Sequence, residues 1–504
     1  MAFTTFKPDF TETMPDVSFS GIALLDDITA STIWDDATLQ YGFGASGVLG
    51  LDSEFAQIFH SMFGNAKPDA NFAFTGLATR SFTMIDAVAG LDFAFTDQVE
   101  EVDLVLASTN DKPRSSLEGF FEFPGNMNKD GTFESWSIGA FNSGMKAMTA
   151  KPEAGGGQYG GWTVLHEIGH SLGLKHTHQE VSGLPALDTV GKSMNNERYS
   201  VMSYNGASDG MKYGHAVSMM ALDVAALQAL YGAEDYAADS SNYSLMNAKG
   251  GKLSLAEGAV EIGRAYYCIW DSGGNDSIDY KSAGKSVVIN LNDATLDTAG
   301  NSAELSALFD QIRATNFFDY MSKSLRQEMF DSWHNAGGFF SQVLDIKKNR
   351  YDGIDGGFSI AHGAEIENAI GGNRADLLVG NEQDNSLVGG KGDDTILGGA
   401  GEERISGDAG IDWIDGGTDD DLLWGGAGRD IFVFSNGYGT DTIMDFDAAD
   451  IIDLRGLLGF ETMQDLFDNH MEDVDGDVVI SVGADHLVIK DVTMAELNSR
   501  DFVI

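Results

Sequence analysis

Five positions in the stretch H-E-I-G-H-S-L-G-L-K-H at 166–176 have the types and spacing of a metal centre. On a helix, residues four apart share a face, so His166 and His170 can aim ring nitrogens at one ion while Glu167 reaches a water on it. Gly173 can take the positive φ that stops the helix and turns the chain back, which brings up His176 as third ligand. Imidazole donors suit Zn2+, and three protein ligands leave a position open for water, the catalytic rather than the structural pattern. The chemistry expected is hydrolysis by zinc-activated water, with Glu167 as general base. His178 falls outside the spacing from Gly173 and is expected in solvent or behind the ligands. The plain alternative is a helix with incidental histidines; with 10 histidines in 504 residues, chance rarely assembles five fixed positions.

Those side chains need a helix that ends near 173, and residues 162–172 have the periodicity of one, as do residues 52–63. The apolar run at 102–106 reads as a strand. At 218–231, Met219, Met220, Val224, Leu227 and Leu230 recur at helical spacing and are expected to close a mixed α/β domain spanning 1–240. From 241 to 504 the texture changes to Gly, Asp and Asn with short β-branched runs, which predicts a second domain of many short strands and turns. An interruption at about 303–357 is patterned as a helical insertion, with Phe309, Phe317, Phe318, Tyr320, Phe330 and Trp333.

Within the second domain a period of nine holds phase from Gly371 to Val433, through seven units. Position eight is always apolar: Leu378, Leu387, Ile396, Ile405, Ile414, Leu423 and Phe432. Position six is acidic or an amide: Asp376, Asn385, Asp394, Glu403, Asp412, Asp421 and Asp430. This matches the G-G-x-G-x-D-x-U-x repeat of a parallel β-roll, in which aspartates and turn backbone bind Ca2+ and the apolar residue points inward. The turns expected to hold calcium bring in Gly371, then Gly389, Gly390 and Gly392, then Gly398, Gly399 and Gly401. Gly407 and Gly410, Gly416 and Gly417, and Gly425, Gly426 and Gly428 complete them. Two units make one coil, so one side carries Asp376, Asp394, Asp412 and Asp430, and the other Asn385, Glu403 and Asp421. Calcium is therefore expected to bind more fully along the all-aspartate side. An acidic solvated loop would not place seven apolar residues in register.

Composition agrees with cation collection. Lys and Arg number 30 against 78 Asp and Glu, a net charge of −48 that repels phosphate backbones, so nucleic acid is excluded as a partner. The lone cysteine, Cys268, cannot form an internal disulfide, which leaves packing and metals to stabilise the fold. No run approaches the length of a membrane span, and the first residues, M-A-F-T-T-F-K-P-D-F-T-E, lack the pattern of a cleavable signal.

The motif at 166–176 resembles that of the metzincin metalloproteases, and S-V-M-S-Y at 200–204 is similar to the Met-turn of their serralysin branch. The resemblance implies a zinc endopeptidase: an α/β metzincin catalytic domain followed by an all-β parallel β-roll (RTX) domain. It implies one catalytic zinc and several structural calcium ions, with Met202 as an apolar cushion beneath the ligands. Tyr204 is then a fourth zinc donor that leaves the metal to stabilise the oxyanion. W-D-S-G-G-N-D at 270–276 is similar to the family's first roll turn, which carries over Asp271, Gly273, Gly274 and Asp276 as calcium ligands. I-E-N-A-I-G-G at 366–372 matches the lead-in to its repeats and adds Glu367. Substrates are expected to be proteins or peptides, lying extended along the segment G-F-F-E-F-P-G at 119–125; an ordinary buried strand is an equal reading of that segment. The family's Arg-x-Gly calcium loop is not evident at 233–262, and the insertion at 303–357 is longer than the family's connection.

Proteins with such repeats leave Gram-negative bacteria by type I export, and the ending Asp501, Phe502, Val503, Ile504 resembles the acidic-then-apolar terminus read by that secretion apparatus. The expected location is extracellular, the expected state a monomer, and a small proteinaceous inhibitor is a further implied partner. Inside a cell, sites with dissociation constants of ~10⁻⁴ to 10⁻³ M stay empty and the carboxylates repel one another; outside, calcium neutralises them. The competing function is a calcium-binding adhesion protein with an inactive peptidase domain. G-A-S-D-G at 206–210 matches a lipase-type elbow only in letters, and G-K-S at 191 and 284 lacks the glycine of a P-loop.

Overall fold

The computed structural model describes Trp34 and residues 38–44, 72–98, 102–109, 119–121, 137–142, 159–178, 195–206, 215–245, 252–255, 258–261, 266–281, 284–296, 308–313, 315, 317–321, 323, 326, 341–347 and 350–504. The helix expected at 52–63 lies outside these residues.

The N-terminal half builds a five-stranded sheet from β1 (Thr38–Gly44), β2 (Asp92–Phe95), β3 (Leu104–Thr109), β4 (Gly119–Phe121) and β5 (Ser137–Asn142), in the order β2-β1-β3-β5-β4. All pairs are parallel except β4 with β5, so an antiparallel strand forms one edge. The strand expected at 102–106 begins two residues later, at Leu104; just before it, Asp103 accepts the Gln40 N–H on its carboxylate at 2.7 Å and donates its own N–H to the Gln40 carbonyl at 2.8 Å. Helix α1 (Phe72–Asp86) packs on helix α2 (Tyr159–Ser171), which lies across β4 and β5. Val164, Leu165, Ile168 and Leu172 bury the inner face of α2 at helical spacing, and the Leu172 and Ser171 carbonyls at its end are taken by the Tyr231 hydroxyl and the Trp34 indole N–H. Helix α3 (Ala221–Tyr231) starts three residues after the expected 218. Met220 is extended there, and Asp223, in the first turn, accepts its N–H at 2.9 Å.

The C-terminal half is two mainly parallel sheets, and through the repeats from Asn368 to Ser435 the chain passes from one to the other at each turn. In one, Leu378, Ile396, Ile414 and Phe432 stand in register and continue onto Ile452; in the other, Leu387, Ile405 and Leu423 do so and continue onto Ile443. Parallel neighbours are thus mostly 18 residues apart, two nine-residue units, and the apolar position is buried on both sheets. Each such side chain contributes roughly 1.5–3 kcal/mol by leaving water.

The segment at 303–357 departs from a purely helical insertion. Residues 308–313 are helical and Phe317–Tyr320 form a 3-10 turn, with Phe309 stacked on Phe318 at 6.0 Å, whereas Phe330 and Trp333 lie outside the described residues. Its end is a β-hairpin, Ser341–Lys347 with Arg350–Ile360, seated between Val287–Asn290 and Tyr266–Ile269. Leu344, Asp345, Ile346 and Lys347 alternate apolar and polar as a strand does, and the hairpin completes backbone ladders that would otherwise end at two edges.

The halves meet where Val217 N–H donates to the Tyr266 carbonyl at 2.9 Å and Cys268 N–H to the Ser218 hydroxyl at 2.9 Å. Substituting Ile396→Ala should cost about 2–5 kcal/mol, read as a lower denaturant midpoint with calcium saturating; a loss under about 1 kcal/mol contradicts the packed ladder.

Candidate active site

Helix α2 carries His166, Glu167 and His170, and Gly173, at φ 93, turns the chain so that His176 folds back over them. The three Nε2 atoms converge: His170 to His176 is 3.0 Å and His176 to His166 is 3.1 Å. His166 Nδ1 lies 2.7 Å from the Val201 carbonyl and His170 Nδ1 2.7 Å from that of Leu174. A carbonyl can only accept, so both Nδ1 atoms carry the proton and both Nε2 atoms present bare lone pairs. Lone pairs aimed at one point repel unless a cation lies between them, so this donor set fits a metal ion with the nitrogen preference of zinc. Burial holds the His166 imidazole well below its usual value, and the neighbouring His170 and His176 add to this. Burial, then His176, brings His170 down to about 3, so both rings stay neutral and competent to ligate.

Glu167 is buried beside them. Desolvation pushes its carboxyl up to about 8, while the Phe121 N–H from edge strand β4 favours the ionised form. Tyr204 places its hydroxyl 2.6 Å from His176 Nε2 and is 56% exposed, so it faces both the imidazoles and solvent. Met202 is buried, its sulfur so close to Gly169 on the histidine helix that a β-carbon there would stand 2.7 Å from it. His178 is exposed, stacks on His176 at 5.1 Å and meets the Tyr204 ring at a tilt at 5.2 Å, a place behind one ligand that its spacing left open. Of the segment 119–125, Gly119–Phe121 is both an edge strand and, through Phe121 packed on Phe141, part of the core; residues 122–125 lie outside the described residues. Gly206 is likewise the only described residue of G-A-S-D-G.

The loop at 195–205 contributes residues that motif reading missed. The Asn195 side-chain carbonyl accepts from the hydroxyls of Thr177 and Ser203, and the Asn195 backbone carbonyl accepts from the Asn205 amide. Glu197 pairs with His215 at 2.9 Å in the interior, and Asp223 accepts from the Ser200 hydroxyl and the Val201 N–H. The one sequence signal for Asp223 is an acid inside the apolar run M-M-A-L-D-V-A-A-L.

In the roll, the position-six carboxylates are buried along a ladder. Asp394 Oδ1 accepts the Asp376 N–H at 2.7 Å, Asp412 that of Asp394 at 2.8 Å, and Asp430 that of Asp412 at 2.9 Å. The Oδ2 atoms of Asp394, Asp412 and Asp430 are buried with no hydrogen-bond partner. An oxygen so placed suits a hard cation such as Ca2+, which takes carboxylate and carbonyl oxygens. Asn385 differs: its Oδ1 accepts from Asn381 N–H and its amide donates back to Asn381, closing its own turn. Glu403 and Asp421 lie against each other on that side, each carboxyl raised by burial. The glycines Gly371, Gly389, Gly390, Gly392, Gly398, Gly399, Gly401, Gly407, Gly410, Gly416, Gly417, Gly425, Gly426 and Gly428 occupy strand ends and the turns beside these acids. At the first turn, where Gly273 and Gly274 sit, Asp276 N–H donates to Glu367 at 2.6 Å, Gly273 N–H to Asp271 at 3.2 Å, and Asp276 Oδ2 has no partner. Two rungs escaped the repeat pattern: Asp441 accepts from Asp421 N–H and Asp450 from Asp430 N–H, each after 20 residues instead of 18.

The profile of the family described as "Peptidase M10 serralysin C terminal" matches residues 331–504. Serralysin C of Dickeya chrysanthemi is 28% identical over 228 residues, 44% of this chain and 36% of its own length. Metalloprotease AprA of Pseudomonas entomophila (strain L48) is 30% identical over 268 residues, 51% of this chain and 42% of its own. Metallopeptidase AprA of Pseudomonas marginalis is 27% identical over 271 residues, 47% of this chain and 55% of its own. The chain thus spans about half or less of the length of these curated relatives. Residues 331–504 match the model of the serralysin C-terminal family, and about half of the chain is similar in sequence to serralysin-type metalloproteases.

Proposed function

We propose that the chain is a zinc-dependent endopeptidase that hydrolyses proteins or peptides outside the cell, with a catalytic domain at 1–240 and a calcium-stabilised roll at 241–504. The observation that carries this reading is the convergence of three Nε2 lone pairs, two with their protons committed to carbonyls, beside one buried glutamate. His166, His170 and His176 would hold zinc, and Tyr204 stands where its hydroxyl can join them. Zinc bound there supplies Lewis acidity, lowering the pKa of a water and polarising a carbonyl.

The chain's own groups do the rest. Glu167 takes a proton from the attacking water on its carboxylate and delivers it to the nitrogen of the leaving amine. Burial raises its affinity for protons, which favours holding the proton for the amine, and the Phe121 N–H favours the ionised form that takes it from water. The Phe121 N–H orients that carboxylate, and β4, as an edge strand, offers backbone groups to an extended peptide. Tyr204 turns its hydroxyl from His176 toward the oxyanion and donates a hydrogen bond to it. Met202, wedged against Gly169, keeps the floor of the site apolar and fixed.

Calcium would be held by Asp376, Asp394, Asp412 and Asp430 on one side of the roll, continued by Asp450, and by Glu403, Asp421 and Asp441 on the other. The self-closed turn at Asn385 supports weaker occupancy at that turn of the second side, whereas the partnerless buried oxygens of Glu403, Asp421 and Asp441 support occupancy farther along it. Asp271, Asp276 and Glu367 would hold a further ion at the roll's entry. Extracellular calcium concentrations fit sites of this type, which supports release from the cell.

Glu167→Ala should retain one equivalent of zinc by elemental analysis while casein hydrolysis falls by roughly 10²–10⁴; undiminished turnover refutes the general-base assignment. Without calcium, burial raises Asp412 to about 7, Asp376 to about 8, and Asp394 and Asp441 to about 9, so the folded roll binds protons that the unfolded chain has released. That stability is complete below the usual aspartate range and is lost as pH climbs through 7 to 9, so chelated protein should melt higher at pH 6 than at pH 9. Saturating calcium, which needs the carboxylates ionised, should raise melting most at the alkaline end. Melting that ignores both chelation and pH would sink the calcium reading.

A further inference from the structure

We infer that Asp223 and Ser200 are positioning residues for the metal, their hydrogen bonds carrying a buried carboxylate's charge through one peptide group to the His166 imidazole. The inference rests on the zinc reading above and extends it to residues that touch neither metal nor substrate.

Four groups form an unbroken relay. His166 Nδ1 donates to the Val201 carbonyl at 2.7 Å. The same peptide group's N–H, that of Met202, donates to Ser200 Oγ at 3.0 Å, and the Ser200 hydroxyl donates to Asp223 Oδ1 at 2.6 Å. No step can run backwards. An amide N–H only donates, so Ser200 Oγ accepts from Met202; an ionised carboxylate only accepts, so the Ser200 hydroxyl gives its proton to Asp223; and a carbonyl only accepts, so the imidazole proton is held on Nδ1. Ser200, Val201, Met202 and Asp223 are fully buried and His166 nearly so, which leaves no water to screen the chain.

Asp223 is anchored independently of Ser200. Its Oδ2 accepts from Val201 N–H at 2.7 Å and Met220 N–H at 2.9 Å, the second at the positive end of helix α3. Burial lifts its carboxyl to about 6 while these donors draw it down, and both oxygens accept, Oδ1 from one hydroxyl and Oδ2 from two N–H groups, as a carboxylate does. A carboxylate drawing on the hydroxyl proton enriches Ser200 Oγ and hence the Val201 carbonyl, and the imidazole answers with a more basic Nε2. Metal-binding histidines commonly have a carboxylate or carbonyl behind them for this purpose; here both act in series.

Asp223→Asn tests the charge with the bonds preserved, because the amide oxygen can accept from Val201 and Met220 while the amide N–H donates to Ser200. Full-length protein in saturating calcium would be titrated with zinc in competition with a chromophoric chelator, and the His166 Nδ1–H resonance followed by NMR. Zinc affinity should fall about ten-fold, the lower end for such partners, and the resonance should move upfield. Should Asp223→Asn fail to fold, Ser200→Ala cuts the relay and leaves both anchoring bonds of Asp223; it should weaken zinc as much at a temperature where it is folded. Affinity within about two-fold of the parent in whichever variant folds overturns the relay. A parent protein that takes up no zinc removes both this inference and the reading of the site, whereas a zinc-binding parent matched by its variants removes the relay alone.

Discussion

The structure depends on holding electron-rich atoms against one another. The His176 ring nitrogen stands 3.0 and 3.1 Å from those of His170 and His166, and rows of aspartates repeat at the spacing of adjacent strands, with oxygens buried and without hydrogen-bond partners. In a medium of low dielectric such arrangements repel, and a divalent cation reverses the sign of the interaction. The fold therefore has to supply the gathering force from elsewhere, and it does so with backbone geometry and apolar packing.

At the imidazoles, the gathering force is the buried face of α2, the turn at Gly173 and the loop at 195–205. That loop reaches each part of the site: Val201 receives His166, Met202 lies under Gly169, Asn195 binds Thr177 beside His176, and Tyr204 meets His176 itself. Asp223 in turn ties the loop to α3. In the roll, the force is the apolar ladder, from Leu378 to Ile452 on one sheet and from Leu387 to Ile443 on the other, which draws the carboxylates together at the turns against their mutual repulsion.

The two halves share a seam. Residues 215–220 give their backbone and the Ser218 hydroxyl to the strand at 266–269, and the same segment leads into α3 and its carboxylate. The strand at 266–269 also pairs with the hairpin at 341–360, so the insertion, the roll and the support of the candidate site form one continuous set of backbone contacts.

How much of this could be read without coordinates follows from the range of each interaction. The histidine helix was legible because its ligands lie within one turn and one glycine-bounded corner, where local geometry decides direction. The nine-residue period was legible because the same local solution repeats and each copy names its inward and outward residues. Illegible were the interactions between residues far apart in sequence: Asp223 beneath His166, Glu197 against His215, and Asp441 and Asp450 as further rungs once two extra residues had broken the period. The hairpin at 341–360 belongs with these, since its partners lie more than 50 residues away at Val287–Val288 and, for its other strand, at 266–269. The sequence by itself determined which residue types gather and at what local spacing. Only the tertiary structure decided which protons the imidazoles keep and which carboxylate stands behind them, because those depend on carbonyls and hydroxyls brought in from other elements.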